Sequence, residues 1–150
     1  MNGDTSVIRR RVLALRDQSA DIRALADQLV ARVESLAWNG RAAEAMATRV
    51  SDRAAHLRGV AERHHTAGDA LAEHAGAVDI AAEEIAQIQT RVEAMIADAR
   101  VRVDEVATAN RSAHGSSITP DARDVRLLAF QAPPRGHRAW LDIDIPGLER

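Results

Sequence analysis

Ser35-Leu36-Ala37-Trp38-Asn39-Gly40-Arg41-Ala42-Ala43-Glu44-Ala45 is the stretch on which the fold turns. Before it, Ile8, Leu15, Ile22, Leu29 and Leu36 recur every seven residues, with Val12, Leu25 and Val33 at adjacent positions of the same face. An apolar repeat of that period is an amphipathic helix, expected over about residues 6–37. Asp4, Thr5 or Ser6 can supply the oxygen that caps its first amides, and no Pro or Gly interrupts it before Trp38-Asn39-Gly40. That triplet is a tight connection where one long helix stops and another begins, so the two are expected to fold back on each other.

The second helix is expected to open at Arg41, with Val50, Leu57, His64, Leu71, Val78, Ile85, Val92, Ala99 and Val106 continuing the seven-residue period. Met46, Val60, Ala67, Ala82, Ile88, Met95 or Ile96, and Val103 thicken the stripe at spacings of three or four. The pattern stops near Ser112-Ala113-His114-Gly115, a small polar cluster suited to a C-terminal cap. One helix over 41–112 would be about 105 Å long against roughly 48 Å for the first. Either the second segment folds back near Gly68 or Gly76, or its far half needs a partner. Asp79 and Glu83 could cap a third helix after Gly76, but the register passes that point without a skip, which favours one long helix.

From residue 116 the character changes, and all four prolines lie there. Thr119-Pro120-Asp121 has the form of a helix start, with Thr119 as cap and Pro120 in the first position. Val125 to Phe130 and Trp140 to Ile145 read as two short strands around a Pro- and Gly-containing loop. A lone hairpin is marginal in water, so this tail should dock on the helices, bind something, or be the stub of a larger sheet domain. The expected organisation is an all-α helical hairpin or bundle over 1–115 and a β-hairpin-like tail over 116–150.

Composition agrees with extended helical seams. Hydrophobic residues make up 46% of the chain but aromatics only 2%, so the core must come from small aliphatic side chains. Roughly a fifth of the residues are Ala, and every cationic side chain other than His is Arg, a combination that points to a GC-rich genome such as an actinobacterium's. The net charge of -2, with both signs interspersed, offers no electrostatic footprint for nucleic acid. Arg9-Arg10-Arg11, the one basic run, reads as a solvated helix face. No cysteine is present, which excludes disulfides and thiolate metal sites. The N-terminus has no apolar stretch of signal-peptide length, and no window approaches the ~20 apolar residues of a membrane span.

No catalytic constellation stands out, and an enzyme is not expected. His56, His64, His65 and His74 share the second helix, yet none pairs with another at the four-residue spacing of a helical metal site. No metal or other cofactor is expected. His64 reads as a seam residue on the apolar stripe, and Ala99 as a second soft point there.

The Trp38-Asn39-Gly40 turn between two heptad helices, the opening Arg41-Ala42-Ala43-Glu44-Ala45, the size and the missing signal peptide resemble the WXG, or Esx-like, family of type VII secretion substrates. The resemblance covers about residues 6–112. It implies an antiparallel helical hairpin, pairing with a second helical WXG-like protein as a hetero- or homodimer into a four-helix bundle, and export from the cytoplasm to the cell surface or medium. It also implies that Trp38, Asn39 and Gly40 shape the end read by the secretion machinery. Family members add a Tyr-Xaa-Xaa-Xaa-Asp/Glu motif, often on the partner; this chain has no Tyr, and only His65 and Asp69 reproduce the spacing. Leu71, Val78, Ile85, Ile88, Val92, Ile96 and Val103 are the expected partner seam.

Two other readings remain. The chain is the helical leader of a truncated or split toxin- or hydrolase-like effector, with the two strands as the start of that domain. Alternatively it is a cytoplasmic structural coiled coil in which the Trp-Asn-Gly turn is coincidental.

Overall fold

The computed structural model describes residues 5–112 and 117–148. Helix α1 spans Thr5–Ser35 and α2 spans Arg41–Ser112, without a break at Gly68 or Gly76. A short helix α3, Ala122–Leu128, and a 3-10 helix, Arg138–Asp142, follow. Thr5 and Ser6 lie inside α1, and Asp4, the third expected capping residue, lies outside the described residues. So does most of the expected cap at Ser112-Ala113-His114-Gly115.

Among the described residues there is no β-strand, and the expected β-hairpin tail is corrected to helix and extended chain. Val125 to Leu128 form the end of α3, because Asp121 starts a helix just before them. Its carboxylate accepts from the Arg123 amide at 2.7 Å and caps α3, the role expected of Thr119. At Trp140 to Ile145, His137 does the same for the 3-10 helix, its Nδ1 accepting from the Ala139 amide at 3.1 Å. A side chain that captures an amide two residues on turns the backbone locally, and this outweighs the β-propensity of the apolar runs.

Contacts divide the described residues into two units, which meet in sequence between Val78 and Asp79 on α2. In the first, α1 lies antiparallel to α2. Its seam consists of Val12, Ser19 and Ala26 on α1 and Ala54, Ala61, Gly68 and Ala75 on α2, all buried. Apart from Val12 these are the smallest residue types, repeated at seven-residue spacing, and small side chains let two backbones approach closely. A Cβ placed on Gly68 would lie 3.6 Å from Leu15 Cβ and 3.7 Å from the Val12 carbonyl oxygen, ordinary contact. Ser19 Oγ donates to the Ala61 carbonyl at 2.8 Å.

One flank of the seam is laced by ion pairs: Arg16 to Asp69 at 3.0 Å, Arg23 to Glu62 at 2.7 Å and Arg58 to Asp27 at 2.6 Å. Steps of seven and four along α1 are matched by the same steps backward along α2, which is the register of an antiparallel pair. The exposed pairs add little stability each but disfavour slipped registers.

In the second unit the tail lies on the later part of α2. Ile85, Ile88, Val92 and Ala99 form one core with Leu127, Trp140 and Ile145. The half-buried Met95, Ile96, Phe130, Leu141, Ile143 and Leu148 pack around it. Phe130 meets the Trp140 ring edge-on, with centroids 6.4 Å apart, so two of the chain's few aromatic rings are spent on holding the tail in place.

Polar contacts fix this arrangement. Arg102 grips Asp124 with two parallel bonds, Nε to Oδ2 at 2.8 Å and Nη2 to Oδ1 at 2.6 Å. Asn110 pairs reciprocally with the backbone of Ile118, donating to its carbonyl and accepting from its amide, both at 2.7 Å. The Trp140 indole donates to the Pro134 carbonyl at 3.0 Å. With its amide oxygen turned toward the tail, the buried Gln89 accepts from the same indole at 2.9 Å and from the Gly136 amide at 2.8 Å.

Candidate functional site

The hairpin tip is built by backbone geometry. Ala37 has φ 46° and Gly40 φ 103°, left-handed values that let the chain reverse within a few residues. Open space surrounds a Cβ placed on Gly40, so its torsion, not crowding, calls for glycine there. The Gly40 carbonyl accepts from the Glu44 amide at 3.1 Å and begins α2.

This turn leaves Trp38 68% exposed, beside Leu36 at 61% and Met46 at 45%. A cleft of about 280 Å³ opens between them, lined also by Val33, Ala43 and Ala47. A large exposed ring among aliphatic side chains contributes little to folding, and such patches mark contact surfaces.

The expected partner seam is divided. Leu71 and Val78 are half-buried in the first unit. Ile85, Ile88 and Val92 lie under the chain's own tail, and Ile96 packs against the same cluster. Val103 is half-buried and lines a cleft with Met95, Ile118 and Leu127. Sequence reasoning missed the small-residue seam, whose signal was the repeat of Ala54, Ala61, Gly68 and Ala75. It also missed Arg102 with Asp124, which no periodicity announces.

His65 Nε2 and Asp69 Oδ2 meet at 3.5 Å one turn apart, and Asp69 also holds Arg16. The Arg16 hydrogen bond keeps the Asp69 carboxyl below its ordinary pKa. His64 Nδ1 is buried with no hydrogen-bond partner. Among the described residues no group of three or more His, Asp or Glu could hold a metal ion, and no helix is long and apolar enough to cross a membrane. No known protein family, characterised protein or solved structure matches the chain.

Proposed function

We propose that the chain is a non-enzymatic helical interaction protein, a WXG-like substrate or targeting module of type VII secretion that pairs with a second helical protein. The observation that carries this reading is the display of Trp38, with Leu36 and Met46, at the end of an antiparallel hairpin. Burying those three side chains against another protein would contribute several kcal/mol at ~25 cal/mol per Å². The reading as leader of a hydrolase-like effector rested on two strands, and those segments are helical or extended instead.

The test is the secreted fraction of Trp38→Ala in a host with an active type VII system. Loss of export with unchanged helix content is expected. Equal export of the variant, or retention of the parent chain in the cytoplasm, overturns the reading.

A further inference from the structure

We propose that the hairpin of the first unit docks an amphipathic helical partner whose apolar stripe is bordered by acidic side chains, in preference to a second copy of this chain. The inference rests on the reading above only for the idea of a helical partner.

Helical phase locates the face. On both helices the ion-paired residues stand one or four positions after a seam residue, and residues three positions after a seam residue fall on the opposite flank. In an antiparallel pair equal offsets lie on the same side, so Leu15, Ile22 and Leu29 of α1 share that flank with Leu57, His64 and Leu71 of α2. Leu15 is buried and the other five are half-buried, while Leu25 beside them is 49% exposed. With Ile8 of α1 and Val50 and Val78 of α2 in the same register, all half-buried, the stripes run about 30 Å on α1 and about 40 Å on α2, and two helices present a width of roughly 20 Å. Their product, about 600–800 Å², approaches what one side of a stable interface buries.

Charge selects the occupant. Arg11, Arg32 and Arg53 stand one position before the seam register, at the edges of this face, and Arg49 and Arg63 lie just beyond, against the single acid Asp21. The ion pairs of the other flank use Arg16, Arg23 and Arg58 and leave these five out. Two copies joined by this face would set Arg against Arg, whereas acidic borders would complement it.

The full chain is titrated with two synthetic helices of about four heptads, sharing one Leu and Ala stripe but flanked by Glu in one and Lys in the other. The Glu-flanked helix is expected to bind about ten-fold more tightly at low salt, the gap closing as salt rises. Arg11→Glu, Arg32→Glu and Arg53→Glu together, all at exposed positions, should reverse the preference. Equal binding of both helices, no binding of either, or a stable dimer of the chain alone by light scattering overturns the proposal. Failure here with Trp38-dependent export intact leaves the export reading standing, and the converse result separates them the other way.

Discussion

Arg102 and Asp124 stand twenty-two residues apart and meet in a bidentate pair that ties α3 to α2. The Arg102 hydrogen bonds hold the Asp124 carboxyl below its ordinary pKa, against burial, which acts in the opposite direction. A lowered native pKa means stability that is present above the unfolded value, near 4, and lost as pH falls through the native one. Acid is therefore expected to loosen the tail below about pH 4, read as a red shift of Trp140 emission in a Trp38→Phe background. Asp124→Asn should remove most of that pH dependence, and an unchanged acid transition would show that other groups control it.

Ser19 combines two demands, a small volume in the seam and a hydrogen bond to Ala61. Ser19→Ala keeps the volume and should cost about 1 kcal/mol. Ser19→Leu overfills the seam and should cost about 1–3 kcal/mol. Urea melts give both values, and a Leu variant as stable as the parent would refute close packing here.

His64 occupies an apolar stripe with Nδ1 buried and unpaired. His64→Leu removes that unsatisfied atom and is expected to stabilise the hairpin by about 1 kcal/mol. A lower melting temperature in the Leu variant would mean that the imidazole makes a favourable contact.

Gly76 lies inside α2, and a Cβ added there would meet nothing within 4 Å. Gly76→Ala should therefore stabilise by about 0.5–1 kcal/mol, the helix-propensity difference. Destabilisation would indicate a chain reversal at this point, where an added Cβ is not tolerated.

Much of the architecture was legible in residue spacing. The heptads of α1 and α2, the reversal at Trp38-Asn39-Gly40 and the uninterrupted register through Gly76 are local periodic signals, and the helices follow them. The tail was misread because Val125 to Phe130 and Trp140 to Ile145 have apolar content compatible with either strand or buried helix, and the caps at Asp121 and His137 decide between them.

Sequence by itself determined that the chain forms two long amphipathic helices joined by a tight turn, because helical periodicity and glycine torsions are properties of neighbouring residues. Only the tertiary structure decided that small residues make the seam, that Trp38 stands exposed, and that the tail covers Ile85, Ile88 and Val92. Those outcomes depend on which faces meet across the fold, and side-chain volume and charge decide that between residues far apart in the chain.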